Sequence, residues 1–244
     1  MNQIPTTLEE AIAQAQQATL AAINDGMRRL QVELVIPELK IMPVAEQFLP
    51  VLEELDDQRL RVYFPDAGAA ALARRDWGEK PYEIRGIKDL KAAIQPDETV
   101  FLFVEPSSVE VQDVEALCDQ IGDRTTVFLN PHMEDVATIG IGYAGRQLRE
   151  RFLNTFDSCY YIRAIEGAAL FRCYPSPWQL WLEKEEGYEK LTDFPSRPSG
   201  EQLDQAMMGE DAEESPDSTS SSSKPAKRKG VLAELQQFLR ALSQ

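Results

Sequence analysis

The sequence has few cysteines, a single histidine and no long apolar run. Its 244 residues include 3 cysteines, which is too few for a disulfide framework. One histidine excludes a metal site built from several imidazoles. No apolar run approaches the about 20 residues of a membrane-spanning helix, and the amino terminus lacks the basic start and apolar core of a secretory signal. These absences predict a reducing, cytoplasmic compartment.

Positive charge is also scarce. The chain carries 25 basic and 41 acidic side chains, a formal net charge of −16. Nucleic-acid binding draws its affinity from phosphate neutralisation by Lys and Arg, so no nucleic-acid partner is expected. No Walker-type phosphate loop is present, and the match to G-x-G-x-x-G at Gly140, Gly142 and Gly145 follows a segment that does not resemble a strand. No cofactor is therefore predicted.

Helices and strands alternate over most of the chain. The pattern predicts an α/β, Rossmann-like three-layer sandwich with a mainly parallel sheet. A capping box of Thr6 with Glu9, or of Thr7 with Glu10, opens the first helix. We expect strands over 32–36, 60–64, 82–84, 100–104 and 125–129. The helices predicted between and after them cover 44–55, 69–74, 87–94, 109–121 and 144–156.

The pattern changes after residue 157. Segments 160–165 and 168–174 flank Glu166-Gly167, which suits a tight hairpin turn. Segments 178–182 and 188–191 add two more strands, so the carboxyl-terminal part of the sheet is predicted to be antiparallel. In this hairpin Cys159 pairs with Tyr174 and Cys173 with Tyr160, which predicts that the two cysteines point to opposite faces.

Composition divides the chain into three parts. Residues 1–200 form the predicted α/β domain, and 201–230 a disordered acidic and serine-rich linker with a basic end at Lys224, Lys227, Arg228 and Lys229. Residues 231–244 return to helical periodicity, with an apolar stripe of Val231, Leu232, Leu235, Phe238, Leu239 and Leu242. So short a helix is marginal in water. We expect it to bind a protein partner; a lipid surface and the chain's own domain are the alternatives.

Several predicted strands end at a proline beside a polar side chain. In open parallel sheets, ligands bind outside the carboxyl ends of the strands. The candidate ligand-edge residues are Asp66, Glu105, Ser107, Asn130 and His132. The alternative is that proline ends each strand while Asp, Ser and Asn cap the helices that follow. Neither pattern assigns a catalytic or metal-ligating residue.

The order of motifs resembles a known family. The motifs are Asp25-Gly26, Ile36-Pro37-Glu38, Phe64-Pro65-Asp66, Val104-Glu105-Pro106, Leu129-Asn130-Pro131, Arg146 to Phe152 and Arg172 to Trp178. They resemble, over about residues 5–200, a cyanobacterial and plastid family of unknown function. That family includes the plant low-photosystem-II-accumulation factors and a domain appended to a plastid adenylate kinase. The resemblance implies a soluble α/β protein on the stromal or cytoplasmic side of photosynthetic membranes, and it implies no catalytic residue.

These observations together predict a non-enzymatic accessory protein. We expect it to assist the assembly of a photosystem or another photosynthetic complex and to bind its partner through the tethered carboxyl-terminal helix. One alternative is a nucleotide- or metabolite-binding enzyme that uses the carboxyl edge of the parallel strands. The other is a peripheral membrane protein at the cytoplasmic face of the thylakoid. The oligomeric state is left open.

Overall fold

The fold is built on one nine-stranded sheet. The computed structural model describes residues 3–56, 59–89, 93–133 and 143–213. The strands are β1 (Arg29–Val35), β2 (Leu60–Phe64), β3 (Glu83–Gly86), β4 (Val100–Val104), β5 (Thr125–Leu129), β6 (Asp157–Ile165), β7 (Ala168–Cys173), β8 (Trp178–Lys184) and β9 (Gly187–Phe194). Their order across the sheet is β3-β2-β4-β5-β1-β6-β7-β8-β9. Pairs from β3 to β6 are parallel and pairs from β6 to β9 antiparallel, which confirms the predicted fold class.

Helices cover both faces of the sheet. They are α1 (Leu8–Asn24), α2 (Ile41–Phe48), α3 (Pro50–Asp56), α4 (Ala67–Asp76), α5 (Val111–Ile121), α6 (Tyr143–Arg151) and α7 (Gly200–Glu213). The larger core cluster contains buried residues of α1 to α4, and a second, on the opposite face, contains those of α5 and α6. Strands β2, β4 and β5 lie between these clusters and are buried along almost their whole length, as expected of strands covered on both faces.

Some predicted helices differ from those observed. The single helix predicted over 44–55 is wrong: α2 ends at Phe48 and α3 begins at Pro50, because proline has no N–H to continue the ladder of the preceding helix. The helix predicted over 144–156 ends at Arg151, and a 3-10 turn over Leu153–Thr155 follows. A helix was predicted over 87–94. The structure describes residues 87–89 and 93–94 of this segment, and they are not helical.

The linker predicted from residue 201 does not begin there. Residues 201–213 belong to α7, whose start is stabilised by a reciprocal pair of bonds. The Ser199 backbone N–H donates to Gln202 Oε1 (2.9 Å), and the Gln202 backbone N–H donates to Ser199 Oγ (3.3 Å), which is a capping box. Leu203 then packs against a buried cluster on β6 to β8. The rest of the predicted linker with its basic end, and the helix predicted over 231–244, lie outside the described residues.

The predicted hairpin register is confirmed, but the predicted cysteine geometry is wrong. Tyr160 pairs with Cys173, yet Cys159 and Cys173 are buried in the same core cluster beneath α1. The cause is a register shift between β1 and β6: Gln31 pairs with Ser158, and the next residue of β1 pairs with Tyr160. Cys159 is the extra residue of this bulge, which breaks the alternation of side chains along β6.

The three cysteines are free and buried, and we predict that they do not react in the native protein. Burial raises the pKa of the Cys118 thiol and that of the Cys159 thiol to about 12, and only the thiolate is a good nucleophile. Ellman's reagent at about pH 8 should label no cysteine of the native chain and all three after unfolding in guanidinium. Rapid stoichiometric labelling of the native protein would contradict this burial.

Candidate functional site

The central strand of the sheet has one apolar and one polar face. Leu30, Val32 and Leu34 of β1 are buried in the core beneath α1 to α4, whereas Gln31 and Glu33 point to the other face and line a cleft. On that face α5 and α6 pack over β2, β4 and β5, while α7 packs over β6 to β8. Among the described residues, no helix packs over this face of β1.

This opening, which we call the β1 cleft, has a volume of about 910 Å3. One wall is formed by residues 130–133 after β5, by α6 and by the 3-10 turn that follows α6. The other wall is formed by β6, β7, the start of β8 and the loop 195–197. The volume lies in the upper part of the range of about 300–1,000 Å3 that ligand sites occupy.

The charge of the β1 cleft is opposite to that of the chain. The whole chain has more acidic than basic side chains, 41 against 25. The described lining residues instead include four arginines and two carboxylates, namely Arg149, Arg163, Arg172, Arg197, Glu33 and Asp157. The arginines outnumber the carboxylates, and a concave site with an excess of one charge concentrates ligands of the other sign. The cleft is thus suited to an anionic ligand.

A row of side chains crosses the floor of the β1 cleft. The strand registers place Glu33 beside Tyr161, Tyr161 beside Arg172, and Arg172 beside Trp178. Arg197 lies over this row, with its guanidinium 4.6 Å from the centre of the Tyr161 ring and 5.5 Å from that of the Trp178 ring. Its Nη2 donates to the Tyr161 hydroxyl (3.2 Å), and its Nη1 lies 3.7 Å from Glu33 Oε2. Stacking and the ion pair therefore hold Arg197 in place before any ligand arrives.

Arg172 is fixed by its own set of contacts. Its guanidinium lies 5.7 Å from the centre of the Trp178 ring, and its Nε donates to the Ser158 carbonyl oxygen (2.5 Å). Burial lowers the pKa of Arg172, but an arginine remains charged in proteins. Ser158 Oγ is buried without a hydrogen-bond partner among the residues that the structure describes, although most buried hydroxyls have one. A ligand in the cleft could supply it.

Two of the five predicted ligand-edge residues, Asn130 and His132, line the β1 cleft. Asn130 has a structural role, since its Oδ1 accepts from the Leu34 backbone N–H (2.7 Å) and its Nδ2 donates to the Leu34 carbonyl oxygen (3.0 Å). Asp66 lies elsewhere and caps α4, where its Oδ1 accepts from the Ala69 backbone N–H (2.9 Å). Asp66 therefore has the helix-capping role of the alternative interpretation, whereas Asn130 caps no helix and instead pairs with the neighbouring strand β1.

Glu105, Ser107 and His132 meet at the ends of β4 and β5. His132 Nε2 lies 3.7 Å from Glu105 Oε1, and Ser107 and His132 form an isolated parallel bridge. The Ser107 hydroxyl donates to Glu110 Oε2 (2.5 Å), so it belongs to the start of α5. The His132 side chain is 66% exposed. The predicted edge thus brings these three residues together next to the cleft, while only His132 reaches its lining.

Glu105 provides a pH-dependent test of this region. Burial raises the pKa of the Glu105 carboxyl, and the nearby charge of His132 opposes the rise. A raised pKa means that ionisation disfavours the folded state, so stability falls as the pH rises through the folded pKa. We expect Glu105→Gln to be at least as stable as the natural chain at about pH 7, with a difference in Tm that shrinks as the pH falls to about 4. A variant that is less stable at neutral pH would contradict this.

Sequence reasoning missed the arginines of the β1 cleft. They lie on α6, β6, β7 and the loop before α7, and only the fold brings them together. One signal was available: apolar and polar residues alternate over Arg29–Val35, which indicates a strand with one polar face. The match to G-x-G-x-x-G, from which no cofactor was predicted, cannot be placed, since Gly140 and Gly142 lie outside the described residues.

The described lining of the β1 cleft combines arginine guanidinium groups with aromatic rings. Within the four described ranges, no three or more His, Cys, Asp or Glu side chains are grouped as a metal site would need. The same part of the chain contains no helix with the length and apolar character to cross a bilayer. Arginines, stacked aromatic rings and a buried hydroxyl supply charge and hydrogen bonds to a ligand.

Comparison with known proteins identifies a family. A family model described as "Domain of unknown function (DUF1995)" matches residues 5–205. The match includes the whole sheet and the first residues of α7. No solved structure matches the chain with significance.

Proposed function

Because the chain belongs to the DUF1995 family, whose description names no activity, we propose a function from its geometry. The protein is a non-enzymatic accessory protein whose folded domain recognises an anionic group of its partner in the β1 cleft. The observation that carries this proposal is the excess of arginine over carboxylate in the cleft of an acidic chain.

Long-range electrostatics favours recognition at this cleft over other surfaces. The chain as a whole repels anions at a formal charge of −16, so an anionic partner is attracted only where the local potential is reversed. Arg197 and Arg172 are held by aromatic rings, which reduces the entropy lost when they bind. The cleft therefore selects both the charge of the ligand and its position.

The biological setting that we propose is a photosynthetic membrane. The motif resemblance to the plant low-photosystem-II-accumulation factors supports a role in the assembly of a photosystem or another photosynthetic complex. The protein then acts in the cytoplasm or at the cytoplasmic face of the thylakoid.

The tail supplies a second contact in this proposal. The apolar stripe of residues 231–242, after a serine-rich spacer, needs a surface to bury against. In our proposal a groove of the same partner takes this helix. The two contacts are linked through one chain, and linkage raises the overall affinity above that of either contact. If the helix binds lipid instead, flotation with anionic vesicles depends on Leu235 and Phe238.

The alternative is a nucleotide- or metabolite-binding enzyme. If the protein is such an enzyme, its ligand site is the β1 cleft, which has the volume of a ligand site and is lined by Asn130 and His132. A thermal-shift screen separates the two, because a ligand at about 100 times its Kd stabilises the fold by about 2.7 kcal/mol. Stabilisation at this level by one nucleotide or cofactor, but not by inorganic triphosphate, would favour the enzyme.

The proposal is tested by capture of complexes from solubilised photosynthetic membranes. The baits are the full chain, a truncation after Ser223, Arg163→Gln in the cleft, and Arg75→Gln as a control. Arg75 is exposed on α4, where it pairs with its neighbour Asp76. We expect photosystem subunits on the full chain and on the control, and less of them on the other two. Equal recovery on all four baits would reject the proposal.

A further inference from the structure

We infer that the ligand of the β1 cleft is an acidic segment of polypeptide that lies along β1. This inference rests on the proposed function, because it names the chemical class of the anionic group. The cleft is bordered by described residues from both ends of β1: Gln31 near its start and Val35 at its end. A strand rises about 3.3 Å per residue, so the floor is elongated rather than centred on one point.

The arginines are distributed along this floor. Arg163 pairs with Val35 at the carboxyl end of β1. Arg172 lies beside Tyr161, which pairs with Glu33 two residues earlier. The two levels are therefore about 6.6 Å apart along the strand. Arg149 adds charge from the opposite wall. Separate arginines at successive levels match separate carboxylates on one chain, whereas a single phosphate group needs donors that converge on one point.

The two carboxylates of the cleft also favour a peptide over a dense polyanion. Glu33 and Asp157 would repel the closely spaced charges of a polyphosphate, since like charges in a shared site disfavour each other. A peptide has backbone N–H groups, and these can donate hydrogen bonds to the two carboxylates. Gln31 and Asn154 line the same cleft, and their amides can both donate and accept.

The rings beside the cleft orient an arginine, a residue type enriched among those whose truncation costs most binding energy. Tyr161 and Trp178 are themselves only 1% and 4% exposed, so they support Arg197 rather than form a surface of their own. Here Arg197 is stacked on Tyr161 and Trp178 and lies 3.7 Å from Glu33 Oε2. The Arg197 side chain is 50% exposed, so a peptide carboxylate can reach its open side without moving the guanidinium from its rings. The site is thus ordered for a carboxylate in advance of binding.

Fluorescence anisotropy with short labelled peptides tests this inference on the full chain. The probes are a hexapeptide that alternates Glu with Gly and its counterpart that alternates Gln with Gly. We expect the acidic probe to bind at least about tenfold more tightly, and Arg163→Gln to weaken it about tenfold, which is the effect of one charged hydrogen bond. Arg75→Gln is the matched control and should bind like the natural chain. Equal binding of both probes, or equal weakening by both variants, would overturn the inference.

Competition by inorganic triphosphate separates this inference from the proposed function. One outcome is that triphosphate binds in a manner that requires Arg163, while the acidic peptide binds no better than its neutral counterpart and is displaced by triphosphate. In that case the cleft is an anion site and the peptide assignment is wrong. The other outcome is that Arg163→Gln changes the binding of neither peptide probe and does not change the binding of triphosphate. In that case the proposed function fails as well. Unchanged melting temperatures of both variants would show that the comparison concerns binding rather than folding.

Discussion

Replacement of Asn130 by leucine is expected to destabilise the fold by about 3–6 kcal/mol. Strand β5 ends at Leu129 while β1 continues to Val35, and the Asn130 side chain takes the place of the missing strand. It bonds both the N–H and the carbonyl of Leu34, and leaving each of these groups buried and unpaired costs about 1–3 kcal/mol. Asn130 also has a φ of 47°, a left-handed conformation that asparagine tolerates and leucine does not.

A glycine variant separates the two causes. Asn130→Gly keeps the left-handed backbone accessible but removes both hydrogen bonds, so it should fall between the natural chain and Asn130→Leu. Urea denaturation followed by circular dichroism gives the free energies of unfolding. Equal stabilities of the glycine and leucine variants would show that the backbone conformation contributes nothing. A leucine variant as stable as the natural chain would contradict the role assigned to the side chain.

Replacement of Arg61 by methionine is the second large effect, with an expected cost of about 3–5 kcal/mol. Arg61 of β2 and Glu98, just before β4, form an ion pair whose side chains are only 3% and 9% exposed. The Arg61 Nε donates to Glu98 Oε1 (2.5 Å), and the Gln95 backbone N–H donates to Glu98 Oε2 (2.7 Å). Removal of the arginine leaves a carboxylate buried without its counter-charge, and this desolvated charge is the source of the cost.

The double variant Arg61→Met/Glu98→Leu is the internal control for this prediction. Replacement of both charges by apolar side chains of similar size is often close to neutral, so the double variant should be more stable than Arg61→Met alone. Arg75→Met removes an exposed pair, with side chains 72% and 41% exposed, and should change the free energy of unfolding by about 0–1 kcal/mol. A double variant less stable than Arg61→Met would contradict the argument.

Local signals in the sequence predicted most of the sheet. Strands β2, β4 and β5 have the same bounds as predicted, because short segments rich in β-branched and aromatic residues between turn signals indicate buried strands. The cap of α1 was also predicted: Thr7 Oγ accepts from the Glu10 backbone N–H (3.1 Å). Its return bond differs, because the Glu10 carboxylate accepts from the Thr6 backbone N–H and hydroxyl. Such local contacts involve residues three or four positions apart, which a sequence pattern can represent.

Composition was misleading for α7. Seven acids without a base over residues 201–217 predicted disorder, yet the structure has a helix to Glu213. The Ser199 and Gln202 capping box and the apolar Leu203 were the local signals for a helix, but the net charge outweighed them in the interpretation. Packing of Leu203 beside Tyr161 and Trp178 is a contact over more than 20 residues, and no local pattern contains it.

The candidate site was predicted only in part for the same reason. Asn130 and His132 were correctly expected at the carboxyl edge of the sheet, since each follows a predicted strand. The arginines of the β1 cleft depend on the strand order, in which β6 lies beside β1 although more than 120 residues separate them. Side chains that meet only through such a pairing have no signal in the spacing of the sequence.

The central claim is that the β1 cleft binds an anionic ligand through its arginines. Its most direct test is a titration followed by NMR of the arginine Nε–H signals of the full chain, with the acidic hexapeptide and then with inorganic triphosphate. We predict that the signals of Arg163, Arg172 and Arg197 shift saturably with at least one of them, while those of Arg59 and Arg75 do not. The absence of saturable shifts at the three cleft arginines, or equal shifts at all five, would contradict the account.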